Sequence, residues 1–181
     1  MIIWVSGANG SAVFRRAREV GPVFLVPAAW TVVAAAHLDI VAERTLFIAH
    51  VAMSVLLAGF AVTAYADMRE GTLRVWWGVI AVGFLPAAAG TVGFRLGSAA
   101  LHAVALYGWM LLPTAGLVDT GRRVTEASVV YLGGAGLCVV GAAVYAAAPV
   151  LPVEAAVGRV VGIAAVGIGQ TAGILDAAVR Y

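Results

Sequence analysis

Lysine is missing from this 181-residue chain: all eleven basic residues are arginine. Charge of either sign is scarce, at 11% of residues, where a soluble domain carries about a quarter. With a formal net charge of +2 spread over polar breaks, there is no basic patch of the kind that holds a nucleic acid. Cys138 is the single cysteine, which excludes an intrachain disulfide, a CxxC redox pair and a Cys-rich metal cluster. The glycine-rich lines YLGGAG and VGIGQTAG follow no strand and sit in apolar runs, so they form no dinucleotide fingerprint. No apolar core with a small-residue cleavage site precedes the first long run, so a cleaved signal peptide is not expected.

What is present is hydrophobic. Apolar residues make up 63% of the chain and mean hydropathy is +1.02, the composition of a polytopic membrane protein. Six apolar segments, at about 21–38, 45–66, 74–94, 98–118, 128–149 and 154–175, are separated by short polar breaks. At a rise of ~1.5 Å per residue each crosses a ~30 Å hydrocarbon core as a helix. The expected fold class is therefore all-α, an integral membrane six-helix bundle. Residues 1–20 form a cytoplasmic N-terminal segment and 21–181 a six-span transmembrane domain.

Arginine fixes the expected orientation. With the N-terminus inside, Arg15, Arg16, Arg18, Arg69, Arg74, Arg122, Arg123 and Arg180 fall on the cytoplasmic side, and Arg44, Arg95 and Arg159 on the outer side. That bias places both termini in the cytoplasm of a multi-pass cell-membrane protein. Trp76, Trp77 and Tyr181 then read as anchors at the inner interface.

An internal repeat accompanies the spans. His50 precedes Asp67 by seventeen residues, His102 precedes Asp119 by seventeen, and Arg159 precedes Asp176 by seventeen. Each interval is ~25 Å of helix, one residue near the outer side and the Asp at the inner interface. Three helical hairpins about a pseudo-threefold axis account for the pattern; so does the need of any span to end in a charge at that depth.

The same topology gathers His37, His50, His102 and Arg159 in the outer half. An ionisable side chain inside the bilayer is costly unless something engages it, so these four are the candidate site. The neighbours of His50 one turn away are Leu46, Phe47, Met53 and Ser54; those of His102 are Ser98, Ala99, Ala105 and Leu106. Apolar and small faces of this kind suit a flat ligand. Two neutral imidazoles facing across a bundle are the axial ligands of a b-type haem, with Arg159 as a propionate partner. His37, His50 and His102 together have the count of a copper or zinc centre, although no acidic side chain in the runs supports them. The plainer alternative is a small transporter or structural membrane subunit whose histidines hydrogen-bond neighbouring helices. An intramembrane hydrolase built on Ser98–His102 or His50–Ser54 lacks an oxyanion-hole signature.

His50 in FIAHVAMSVLLAGF resembles the second-helix haem-ligand stretch of short membrane relatives of haem–copper oxidase subunit I, where a His precedes an aliphatic run ending in Gly-aromatic. Gly59-Phe60 fills that slot, and LHAVALYGWM repeats it with Gly108-Trp109. The resemblance covers some fifty residues. The chain departs from the family in lacking a histidine pair and Tyr for a copper site, and in having fewer spans. The resemblance implies haem ligation by His50, and not oxygen reduction; His102 is the second ligand on internal grounds. Such a protein transfers electrons or senses a redox or gaseous ligand. Its expected partners are the lipid bilayer, a redox protein or quinone, and further copies of itself in a homo-oligomer.

Overall fold

The computed structural model describes the backbone of residues 8–180, and the side chains of residue 21 and residues 23–180. Six helices run in order: α1 Ala8–Ala36, α2 Glu43–Thr63, α3 Gly71–Leu96, α4 Ala99–Arg123, α5 Ser128–Ala147 and α6 Ala155–Arg180. Single 3-10 turns at 125–127 and 148–150 flank α5, and no strand occurs among the described residues. Five stretches are long and apolar enough to cross a membrane: α2, α3, α4, α5 with its flanking turns, and α6. The apolar part of α1 is shorter, Val23–Ala36. Helix α1 also continues unbroken across the boundary expected at residue 20.

Helices α2 and α3, α3 and α4, and α5 and α6 pack antiparallel, as the pairs Trp77–Ala61 with Ser54–Thr91, Trp76–Thr120 with Gly93–His102, and Gly134–Gly169 with Gly141–Gly162 show. The α3–α4 turn shows how the sequence enforces this. Gly97 takes a left-handed conformation (φ 61°), and its N–H bonds Gly93 O. Ser98 N–H also bonds Gly93 O, at 3.0 Å, and Ser98 Oγ accepts from Leu101 N–H, capping α4. A Cβ at residue 97 would penalise that conformation. One helix is stopped and the next started within two residues. The connections place His37, His50, His102 and Arg159 at one end of the bundle, here the histidine end, and Asp67, Asp119 and Asp176 at the other, the aspartate end.

Packing follows the chain for five of the helices: α2 lies on α3, α3 on α4, α4 on α5 and α5 on α6. Helix α1 then packs on α6, not on α2. The expected three hairpins are therefore represented by α3–α4 and α5–α6 alone. The core lies among α1, α4, α5 and α6, and contains Trp30, Met110, Leu117, Tyr131, Cys138, Ile163 and Val166. Leu57 is the buried residue of α2, a helix whose main contact among the described residues is with α3.

Glycine sets the interhelical distances. At the α5–α6 contact, a Cβ on Gly134 would stand 2.5 Å from Gly169 O, and one on Gly162 would stand 2.6 Å from Gly141 O. Backbone meets backbone there, the close approach that small residues permit between membrane helices. At α3–α4 the glycines instead receive large side chains: Gly83 faces the Trp109 ring and Gly116 the Trp76 ring.

Candidate functional site

Helix α3 carries a glycine face at the histidine end, and two imidazoles lie on it. His50 comes from α2 onto Gly90, where its Nε2 would be 2.8 Å from an added Cβ. His102 comes from α4 onto Gly93, its Nε2 2.9 Å from the Cβ position there. Residues 90 and 93 are neighbours on one helix face. Both rings therefore sit one turn apart on the same backbone, and a methyl group at either glycine would displace them.

Phe94 stands against both. Its ring centroid is 5.2 Å from that of His50 and 4.4 Å from that of His102. The sequence placed the two histidines at one depth; it did not reveal that an aromatic side chain of the intervening helix contacts each of them. Helices α2 and α4 have no substantial direct contact, so α3 mediates the relation between the histidines.

The ring nitrogens differ in their partners. His50 Nδ1 donates to Leu46 O at 2.9 Å, since a carbonyl can only accept; its Nε2 then carries the lone pair. His102 Nε2 is buried with no hydrogen-bond partner. Beside His50 a small polar stripe joins α2 to α3: Ser54 Oγ donates to His50 O at 2.8 Å and approaches Thr91 Oγ1 at 3.4 Å.

His37 stands elsewhere. Its Nδ1 donates to Val33 O at 2.8 Å, so its Nε2 accepts from the Tyr145 hydroxyl at 2.8 Å. The Tyr145 ring meets both His37 and Tyr107 edge-on, with centroids 5.4 and 5.7 Å away. Arg159, on α6, lies within electrostatic reach of Tyr145. Helix α6 packs on neither α2 nor α3, which separates Arg159 from the His50 ring. The residues expected to form one site thus form two groups: His50 with His102 on α3, and His37 with Arg159 around Tyr145. Among the described residues, no three His, Cys, Asp or Glu side chains are arranged to hold a metal ion. The three-histidine copper or zinc centre is therefore not assembled in this conformation.

Phe94 also lines a shallow, open cleft of about 330 Å³ between α2 and α3 at the histidine end, bordered by Glu43, Arg44, Phe47 and Arg95. The two arginines were legible in the sequence as outer-side charges; that they border one concavity was not.

No known relative interprets this arrangement. No family model matches the chain, and no curated protein or solved structure is significantly similar to it. The geometry is what there is to argue from.

Two tryptophans expected only as interface anchors have inward partners as well. Trp76 Nε1 donates to Thr120 Oγ1 at 3.0 Å, and Trp77 Nε1 donates to Ala61 O at 2.8 Å. These bonds tie α3 to α4 and to α2 near the aspartate end, and so hold the glycine face of α3 between the two histidine-bearing helices.

Proposed function

We propose that this is an integral membrane protein that binds a b-type haem in the half of the bilayer at the histidine end, with His50 and His102 as axial ligands. The observation that carries the reading is the pair of imidazoles, brought from two helices onto adjacent turns of α3, one with a buried, unpartnered Nε2. Buried polar atoms without partners are uncommon enough to need a reason, and an absent ligand is one. His50 has its Nδ1–H on a backbone carbonyl, the arrangement that orients a ligating imidazole and keeps Nε2 available.

A bound haem supplies one-electron chemistry. This chain's residues supply the two nitrogen donors, an apolar surround and exclusion of water. Phe94 is the obstacle in this conformation: its ring stands against both imidazoles, and a haem held by His50 and His102 would have to displace it. Arg159 is left out of this reading, because it lies on α6, which has no substantial contact with α2 or α3. The proposal includes α1 as a sixth span and both termini in the cytoplasm of a cell-membrane protein, on the arginine bias. Electron transfer or redox or gas sensing is the role, with a redox protein or quinone as the exchanging partner.

The Phe94 contacts favour a second reading. Imidazoles that already pack against an aromatic ring and a glycine face suit a small transporter or structural subunit, in which they only join helices. An absorption spectrum of the detergent-purified protein from haem-replete cells, before and after dithionite, separates the two. Haem binding gives a Soret band that shifts on reduction, is lost in His50→Ala and His102→Ala, and survives in His37→Ala. A colourless protein, or full haem content in both ligand variants, overturns it.

A further inference from the structure

We infer that the cleft between α2 and α3 binds a membrane phospholipid by its anionic headgroup, phosphatidylglycerol being the class it fits. The inference does not rest on haem binding, although Phe94 lines this cleft and also stands against both histidines. Three observations meet in this cleft. Arg44 and Arg95 come from different helices to the same rim, where Phe47 and Phe94 form the apolar wall below them. Neither arginine belongs to an ion pair among the described residues, so both guanidiniums are free to take an anion. The first turn of α2 opens beside the cleft, and its N-cap residue, Ala42, offers no side-chain acceptor. The orphan N–H groups and positive end of that helix add to the field of the guanidiniums, and Glu43 in the same turn offsets part of it.

Arg95 is held over the Phe47 ring, 5.6 Å from its centroid. A cation–π contact of this kind keeps the guanidinium above the apolar wall. That stacking is what an amphiphile needs at an interface: charge at the headgroup level and flat hydrocarbon surface immediately beneath. The phosphate takes the two guanidiniums, for which their planar donor sets are suited. Glu43, on the same rim, offsets one of the two guanidinium charges, and the single positive charge that remains matches a headgroup of one negative charge such as phosphatidylglycerol over a zwitterionic one. Arg95 also lies in the last turn of α3, where a cation is favourable without any ligand. That role predicts no lipid preference, and so the two explanations part experimentally.

The test is native mass spectrometry of the full chain in a neutral detergent, titrated with phosphatidylglycerol and, separately, with phosphatidylcholine and phosphatidylethanolamine. Phosphatidylglycerol is retained preferentially. Each of Arg44→Gln and Arg95→Gln weakens its retention about tenfold, the scale of a lost charge-assisted bond, and Arg95→Lys retains part of it. Arg159→Gln, at the same end but outside the cleft, leaves retention unchanged, and gel filtration shows whether each variant keeps its fold. Equal retention of the three lipids, or undiminished binding in the folded double variant, overturns the inference. So does complete displacement of the lipid by millimolar inorganic phosphate, which would mark a site for a free anion.

Discussion

Gln170 is the one glutamine of the chain and lies deep in an apolar run. Alone in hydrocarbon its amide would leave donors and acceptors unpaired, at a cost of several kcal/mol. The structure satisfies it twice: its Oε1 accepts from Trp30 Nε1 at 2.9 Å, and its Nε2 donates to Trp109 O at 2.9 Å. One side chain thereby joins α1, α4 and α6 inside the core. Gln170→Leu removes both bonds and leaves the buried indole N–H of Trp30 without an acceptor. A destabilisation of roughly 1–3 kcal/mol is expected, read as a lower unfolding midpoint in detergent with the fold retained. A variant as stable as the parent would mean that the indole finds another acceptor. The sequence marked Gln170 as unusual, but its partners lie 140 and 61 residues away, and no local pattern pointed to them.

Among the elements, the α5–α6 pair carries the closest approach, and its glycines separate into two kinds. Gly134 and Gly162 face backbone oxygen of the partner helix, which cannot yield without moving the helix. Gly133 and Gly136, on the same stretch of α5, meet nothing within 4 Å. Gly134→Ala should therefore force α5 and α6 apart and cost about 1–3 kcal/mol, as overpacking does. Gly136→Ala should be neutral or stabilising by up to ~1 kcal/mol, because alanine is the better helix former. Parallel thermal unfolding of the two variants checks this, and equal effects would mean that the helices are not packed through Gly134. The run YLGGAG is legible as a small-residue motif, yet which of its glycines faces a helix and which faces lipid depends on rotation about the helix axis.

At the scale of the whole molecule, the two ends carry different charged groups. The aspartate end holds the Arg123–Asp119 and Arg180–Asp176 pairs; the histidine end holds Arg44 and Arg95 around a cleft. If the arginine bias sets orientation, the histidine end faces outward. Single cysteines introduced into a Cys138→Ala background test that orientation. Pro152→Cys, between α5 and α6, should react with a membrane-impermeant maleimide on intact cells. Ala66→Cys, between α2 and α3, should react only after permeabilisation. The reverse pattern would invert the topology and move the histidine end, with its cleft, to the cytoplasmic leaflet.

The helical class, five of the six expected spans and the gathering of histidines at one end follow from the sequence by itself. The reason is that hydropathy, length and depth along a span are local properties of the chain. Tertiary structure alone decided that α1 lies on α6, that His37 bonds Tyr145, and that Phe94 stands against both His50 and His102. Each of these depends on which helix faces meet. In an apolar chain that choice is made by the fit of glycines to the surfaces opposite them: Gly90 and Gly93 to imidazoles, Gly134 and Gly162 to backbone. Such fit joins residues far apart in the sequence, and hydrophobic periodicity carries no record of it when every face is apolar.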